Sequence, residues 1–253
     1  MTPESLKSRL DEMSTAKLRF VARMVDALQR SPQATVKQSQ TWITGSAVWL
    51  EYFGLALSVH HGATSEPLLL ESFETVFRGA CESAEWELDP QGSPTRRFVD
   101  LVVDDGDSPR RLSLKSTAAR NLREDKAHIS KLTEAAWIQD ARTAKLRRDR
   151  VRELFKSYLG TVDAILMLRA FRRQGAVPYR YQLLEIPSSI FASLLQLPLV
   201  AFQRDPTVLH CIVKGRVVAG VALDRSDAKI TVRNIDIDAC VVHVEWYCEE
   251  VGS

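Results

Sequence analysis

Apolar residues recur at helical spacing through the first part of the chain. Residues 3–30 carry leucine, methionine and valine every three or four positions, which predicts one or two helices. Residues 40–58 are apolar and aromatic, and they predict a short turn followed by a helix. Residues 65–86 predict a further helix, which Ser65 can cap and in which Pro67 suits the first turn. The N-terminal part is therefore expected to be mainly helical.

The pattern changes to strands and turns after residue 96. Residues 98–103 are rich in β-formers, residues 104–109 have the composition of a turn, and residues 110–116 resume the strand. Together they predict a β-hairpin. Residues 118–158 have a helical and basic composition and are expected to form helix.

The remaining apolar segments predict buried strands. Residues 161–171 form a fully apolar run, and residues 179–187 alternate before a predicted helix at residues 188–196. Two or three further strands are expected in the C-terminal third. We therefore expect a single α/β domain over the whole chain, with residues 1–90 mainly helical and residues 91–253 forming the catalytic α/β core.

Composition excludes several classes of protein. The 253 residues include four cysteines, none of them in a CxxC pair, so a disulfide scaffold and a structural zinc site are disfavoured. The first residues lack the apolar core of a signal peptide, and the apolar run at residues 164–168 is too short to cross a bilayer. A cytoplasmic protein without membrane association is expected.

Charge is nearly balanced overall but locally uneven. The net charge is +2, yet residues 141–152 carry six basic residues against the single acid Asp149, and residues 169–173 add three arginines. A local basic cluster is typical either of a polyanion-binding surface or of a solvated helix face. The composition leaves both readings open.

Three polar residues of the predicted hairpin carry the candidate chemistry. Asp100 and Lys115 lie on facing strands, and Ser113 shares a strand face with Lys115 because it lies two positions before it. Charged groups embedded in apolar strands need a partner or a metal ion. The arrangement resembles the PD-(D/E)xK nuclease motif, although a simple Asp100–Lys115 ion pair on an exposed hairpin would give the same pattern.

The PD-(D/E)xK resemblance implies a divalent ion, usually Mg²⁺, held by the first aspartate and by an acid two positions before the lysine. The lysine would orient the attacking water. This chain has Ser113 where that acid is expected, and serine is a weaker metal ligand than a carboxylate. Glu74, or Glu71 one turn earlier, is therefore the candidate for the second carboxylate. Glu74 read alone is equally an ordinary amphipathic-helix glutamate.

The resemblance extends beyond this motif to the SmaI-type family of type II restriction endonucleases. It rests on six collinear segments: FGLALSVHH at 53–61, ESFETVF at 71–77, LKSTAARN at 114–121, HISK at 128–131, YRYQLLEIPSSI at 179–190 and KITVRNIDIDACVVHVEW at 229–246. It implies a restriction-endonuclease-like core with a mixed central sheet flanked by helices. It also implies that Asp100, Glu74 and Ser113 lie at the metal, and that Asp100, Lys115 and Glu74 are the catalytic residues. The hairpin is longer here than in the family, and residues 141–158 do not match it clearly.

Residues after the catalytic strand have side chains that suit DNA. Arginine pairs with guanine and asparagine with adenine, whereas most phosphate contacts set the register. A helix beginning there would also offer its N-terminal amides to a phosphate. His128 is alternatively a structural histidine. The candidate DNA-binding residues are Thr117, Arg120, Asn121, Lys126, His128 and Lys131.

The resemblance implies a Mg²⁺-dependent type II restriction endonuclease that cleaves double-stranded DNA at a short, GC-rich palindrome and leaves 5′-phosphates. A homodimer is expected, because a two-fold protein reads both halves of a palindrome with the same residues. A cognate DNA methyltransferase is implied as a functional counterpart rather than as a bound partner. The alternatives are a related nicking or repair nuclease, and a DNA-binding module whose nuclease site has decayed.

Overall fold

The computed structural model describes residues 2–37, 40–89, 97–173 and 177–248. These residues form five α-helices, four of which begin at a Ser or Thr whose side chain accepts a backbone N–H of the first turn. The helices are α1 (Pro3–Asp11), α2 (Thr15–Gln29), α3 (Ala47–Ala63), α4 (Leu70–Ser83) and α5 (Ala144–Thr161).

Eleven strands of the described chain form two sheets. The larger sheet has seven strands in the order β1-β11-β7-β6-β4-β3-β2, and the smaller has four in the order β5-β10-β9-β8. Only the β4–β6 pair is parallel, so the larger sheet is mixed. The strands are β1 (Gln33–Val36), β2 (Glu87–Leu88), β3 (Leu101–Asp104), β4 (Pro109–Thr117), β5 (Lys126–Glu134), β6 (Ala164–Phe171), β7 (Arg180–Pro187), β8 (Val208–Val213), β9 (Arg216–Asp224), β10 (Lys229–Asp236) and β11 (Val241–Tyr247).

The larger sheet separates two apolar cores. Strand β6 is buried along its whole length, and its side chains alternate between the two cores because successive residues point to opposite faces. Leu166 packs with Phe53 of α3 and Phe73 of α4. Ile165, one position earlier, packs on the other face with Phe155 of α5 and with the smaller sheet.

This architecture confirms the expected mixed sheet flanked by helices and the helical N-terminal part. The one strand that interrupts the N-terminal helices, β1, pairs with β11 near the C-terminal end of the described chain. The predicted boundary between residues 90 and 91 lies outside the described residues. No helix of the described ranges is long and apolar enough to cross a membrane.

Several local predictions were wrong. The expected helix over residues 118–158 is a loop, the strand β5, a short 3-10 turn and only then α5. Helix α4 begins at Leu70 rather than at Ser65, and its N-cap Leu69 makes no side-chain capping bond. The described residues of the C-terminal third contain four strands rather than two or three, because Lys214 and Gly215 turn β8 into β9. By contrast, the helix expected at residues 188–196 forms with those bounds, as a 3-10 helix.

Candidate active site

The β3–β4 hairpin brings Asp100, Ser113 and Lys115 together. Leu101 pairs with Leu112, which places Asp100, just before β3, opposite Ser113. The Ser113 hydroxyl donates to Asp100 Oδ2 at 3.1 Å, and Lys115 Nζ lies 3.4 Å from the same oxygen. The hairpin and the contact between the aspartate and the lysine are as the sequence predicted.

The Asp100 carboxylate is held by the backbone of β4. Its own N–H donates to Leu112 O at 2.9 Å, and the Leu114 N–H donates to Asp100 Oδ2 at 2.7 Å. The side-chain oxygen thus replaces the backbone carbonyl that would accept this N–H if the β3–β4 pairing continued. The backbone turns sharply just before it, since Phe98 has a φ of 75°. The carboxylate stays 39% exposed and is open to a ligand.

The Lys115 ammonium has three acceptors for its three protons. It donates to Ser113 Oγ at 2.9 Å and to Leu114 O at 2.8 Å, and it faces Asp100. Its side chain is 18% exposed, so the ammonium is held at the mouth of the site rather than free in solvent.

Glu74 approaches the site from α4 through an arginine that the sequence analysis missed. Arg78 Nε lies 3.5 Å from Glu74 Oε1, and Arg78 Nη2 donates to the backbone carbonyl of Asp100 at 3.3 Å. The same guanidinium pairs with Asp89 at 3.2 Å. The signal was present, because Arg78 follows Glu74 by four positions, one helical turn. Glu71 is exposed one turn earlier.

These donors suit Mg²⁺ chemically, although the described residues hold no group of three or more His, Cys, Asp or Glu arranged around one point. Mg²⁺ prefers oxygen ligands, and it is commonly held by one or two carboxylates with several waters. Asp100 and Glu74 supply two carboxylates, and Ser113 supplies a hydroxyl; Arg78 joins the Glu74 side chain to the Asp100 backbone.

A buried tyrosine, also missed from the sequence, packs against the site from α5. Tyr158 is 1% exposed, and its ring centroid lies 5.2 Å from that of Phe98. Burial raises the pKa of its hydroxyl, an effect that the neighbouring Ser113 side chain opposes and the Asp100 charge reinforces. Beyond it, the Arg97 guanidinium lies 4.5 Å from the Phe98 ring centroid.

The candidate DNA-binding residues lie at the end of β4 and beyond it, but they do not begin a helix. Thr117 ends β4, and Arg120 and Asn121 are exposed in the loop that follows. Lys126, His128 and Lys131 lie on β5, where they alternate with the buried Ala127, Ile129 and Leu132.

The two candidate lysines on β5 form ion pairs with acidic side chains of the protein. Lys126 pairs with Asp236 at 3.5 Å, and Lys131 pairs with Glu134 at 2.6 Å. Burial lowers the pKa of His128, and the charges of Arg233 and Lys229 lower it further. His128 is nevertheless among the exposed residues, so its ring is accessible to a ligand.

Most of the basic side chains in residues 141–152 bind carbonyls or carboxylates of the protein itself. Arg147 is buried and donates to backbone carbonyls, and Arg152 donates to Leu197 O at 3.1 Å. Lys145 and Arg148 both pair with Asp149. The polyanion-binding reading of this stretch therefore has little support.

His243 and the polar residues around it on β7 and β11 make structural contacts. His243 Nε2 lies 3.0 Å from Glu185 Oε2. Glu245 accepts a hydrogen bond from Gln182 at 2.7 Å. His243 lies at a register shift between Val242 and Val244 on β11.

A family model supplies the deciding comparison. The model of SmaI, described as a type II site-specific deoxyribonuclease, matches residues 8–248. The chain belongs to the SmaI family. The match spans nearly all of the described chain and includes Glu74, Asp100, Ser113 and Lys115. Neither curated proteins nor solved structures give a match.

Membership of the SmaI family fixes the reaction class. The protein is a type II restriction endonuclease, a hydrolase that cleaves double-stranded DNA site-specifically. The resemblance on which the sequence analysis relied is thereby confirmed for the family and for the enzyme class.

Proposed function

We propose that this SmaI-family enzyme uses Mg²⁺ to hydrolyse both strands of a short, GC-rich palindrome and leaves 5′-phosphates. The observation that carries the proposal is the meeting of Asp100, Ser113 and Lys115 on one hairpin. A carboxylate, a hydroxyl and an ammonium lie within 3.4 Å of one another there. Glu74 adds a second carboxylate through Arg78.

Each residue then has a defined role. Asp100 and Glu74, with Ser113, would hold Mg²⁺, which supplies Lewis acidity at the scissile phosphate and lowers the pKa of a bound water. Lys115 orients the attacking water and offsets the negative charge that develops on the phosphate. Arg78 positions Glu74 and the Asp100 backbone.

DNA recognition is assigned to the segment that follows the catalytic strand. Arg120 and Asn121 can reach base edges from the exposed loop, and a bidentate arginine–guanine contact would favour a GC-rich site. The other proposed DNA contacts are Thr117, Lys126, His128 and Lys131. A cognate methyltransferase would protect the host's own sites. We place the reaction in the cytoplasm, in keeping with the four free cysteines.

We also propose that residues 1–253 form one nuclease domain. The pairing of β1 with β11 supports this, because it joins the N-terminal helical part to the end of the α/β core within one sheet.

A homodimer is proposed because one face of the molecule is apolar and open. Helix α3 is apolar on nearly all sides, with Glu51 as its only acid or base apart from two histidines, yet it exposes a stripe of large side chains. A helix with this composition is normally covered. The neighbouring helix α2 and the start of α4 add further exposed apolar side chains. Ten of the twenty large apolar side chains that the described residues expose lie on α2, on α3 or at the start of α4: Leu18, Phe20, Val25, Leu28, Val48, Tyr52, Leu55, Val59, Leu69 and Leu70.

The spacing of the exposed side chains on α3 fits a second copy of the chain. The stripe on α3 has steps of four, three and four residues, the spacing by which paired helices interlock. Helix α3 packs against both α2 and α4, which flank the stripe.

Plasmid cleavage tests the catalytic assignment. Asp100→Asn keeps an acceptor for the Leu114 N–H, and Lys115→Met keeps the length of the side chain. We expect each to lower the single-turnover cleavage rate by at least about a hundredfold, as is usual when a positioned acid–base group is lost. Chelation of Mg²⁺ should abolish cleavage of both strands by the wild type.

Matched variants identify the second carboxylate. Glu74→Gln should lose activity, whereas Glu71→Gln, one turn away on the same helix, should keep it. Asp107→Asn at the exposed hairpin tip serves as the control for Asp100. Wild-type cleavage by Lys115→Met, or equal losses for Glu71→Gln and Glu74→Gln, would contradict the assignment.

A further inference from the structure

The hydroxyl of Tyr158 is buried beside the candidate site and makes no hydrogen bond with any described residue. Its ring is fixed by Phe98 and by Phe191, with centroids at 5.2 and 5.8 Å. Buried tyrosine hydroxyls normally have a partner, and an isolated one is costly. A rigid ring holding an unpaired donor next to reactive groups calls for an explanation beyond packing.

Ser113 is the acceptor that such a donor would meet. A serine hydroxyl has one donor and two acceptor positions. Its proton goes to Asp100 Oδ2 and one lone pair accepts from Lys115 Nζ, which leaves a second lone pair. The Ser113 side chain is close enough to Tyr158 to lower the pKa of the phenol against the larger, raising effect of burial. A tyrosine hydroxyl can supply the donor for that lone pair.

We propose that Tyr158 is a positioning residue whose hydroxyl donates to Ser113 Oγ when the site binds Mg²⁺ and DNA. This inference rests on the proposed function. The bond would fix the rotation of the serine hydroxyl, so that Ser113 holds the Asp100 carboxylate and the Lys115 ammonium in one geometry. Hydrogen bonds at a reaction centre often close only in the loaded complex. The Tyr158–Ser113 pair would thus serve where the related motif has an acid.

Tyr158→Phe separates this role from a purely structural one. The variant keeps the ring and its contacts and removes only the hydroxyl. In the free protein no hydrogen bond is lost, so we expect an unchanged or higher Tm. Tyr181→Phe is the matched control, because Tyr181 Oη accepts the Leu68 N–H at 2.9 Å and contacts His61 at 2.9 Å. That variant should have a lower Tm.

The experiment compares wild type, Tyr158→Phe, Ser113→Ala and the double variant. Tm is measured without metal and with Mg²⁺ alone, and single-turnover cleavage is measured at saturating plasmid. We expect Tyr158→Phe to cut the rate about five- to tenfold, the worth of one net hydrogen bond. It should also reduce the Tm gain from Mg²⁺. In the Ser113→Ala background the same change should have no further effect on either quantity.

Three results would overturn the inference. A lower metal-free Tm for Tyr158→Phe would show a structural hydrogen bond. Additive losses in the double variant would show that Tyr158 does not act through Ser113. A wild-type rate together with a wild-type Mg²⁺ response would show no role. If the wild-type protein leaves DNA uncut, the proposed function is contradicted instead. The Tm gain from Mg²⁺ in the single and double variants then tests whether Tyr158 acts through Ser113.

Discussion

At the scale of single residues, the surroundings of His61 determine its protonation state. Its Nδ1 lies 3.1 Å from Thr64 O, and its Nε2 lies 2.9 Å from Tyr181 Oη. The Tyr181 oxygen already accepts the Leu68 N–H, so the tyrosine proton is directed at the histidine. Burial lowers the pKa of His61 to about 4. The neutral ring is therefore the form that the fold requires.

Lowering the pH should therefore reduce the stability of the folded protein. Between pH 6.5 and about 4 the unfolded chain protonates His61 and the folded protein does not, so stability is complete above that range and falls with pH. We expect His61 to account for about 2 kcal/mol of the unfolding free energy lost between pH 7 and pH 5. Urea unfolding across this range should give a flatter pH dependence for His61→Gln than for wild type. Equal slopes for His61→Gln and wild type would refute the claim.

At the scale of elements, α5 is fastened to the chain around it by one buried arginine. Arg147 is 5% exposed and donates to Phe202 O at 2.8 and 3.1 Å. It also donates to Ala141 O and Arg142 O, each at 3.1 Å. Four hydrogen bonds from one guanidinium thus join the first turns of α5 to the segment just before the helix and to the 3-10 helix that ends at Phe202.

Removing that guanidinium should loosen α5. Arg147→Met keeps the apolar stem but leaves three carbonyls without their donor, so we expect the unfolding free energy to fall by about 3 kcal/mol. Arg150→Gln, an exposed arginine paired with Glu153, should change it by less than about 0.5 kcal/mol. Chemical denaturation measures both. Equal effects of the two variants would mean that the arginines of this stretch are interchangeable surface charges.

Elements with an unbroken local pattern were predictable, and interrupted ones were not. The hairpin, β6 and β7 were predicted because turn residues, apolar runs and strict alternation are local signals. Strand β5 was read as helix because register shifts in its pairing with β10 interrupt the alternation that would have marked it. Because β5 was predicted to be helix, its pairing with β10 in a second sheet was not predicted.

The same distinction holds within the candidate site. Asp100, Ser113 and Lys115 follow from spacing along one hairpin. Arg78 and Tyr158 reach the site from α4 and α5, so their roles depend on how distant elements pack. Spacing alone gives the Glu74–Arg78 pair, but it does not show that Arg78 also bonds the Asp100 carbonyl.

At the scale of the whole molecule, the proposed dimer accounts for the apolar face of α2, α3 and α4. Leu55 and Val59 are 38% and 43% exposed at the centre and one end of the α3 stripe. Glutamates there would place unpaired charge in the interface, which is costly when buried and nearly harmless in a monomer.

The double variant Leu55→Glu/Val59→Glu should therefore be a folded monomer. Light scattering should give 28.5 kDa for it and twice that mass for wild type. On a plasmid with one site, the variant should release nicked circles before linear DNA, since each subunit of the proposed dimer would cut one strand. Val217→Glu, a 51% exposed valine on β9, is the control and should remain dimeric. A monomeric wild type, or a dimeric double variant, would remove this face as the interface.

The bond between the Leu114 N–H and the Asp100 side chain gives the enzyme a built-in isotopic probe. Most amides of β4 are protected by neighbouring strands, but this one is protected by a carboxylate at 2.7 Å. Its exchange with deuterium therefore depends on the Asp100 side chain as well as on how often the sheet opens. One backbone amide signal would then respond to a ligand on Asp100 without any cleavage of DNA.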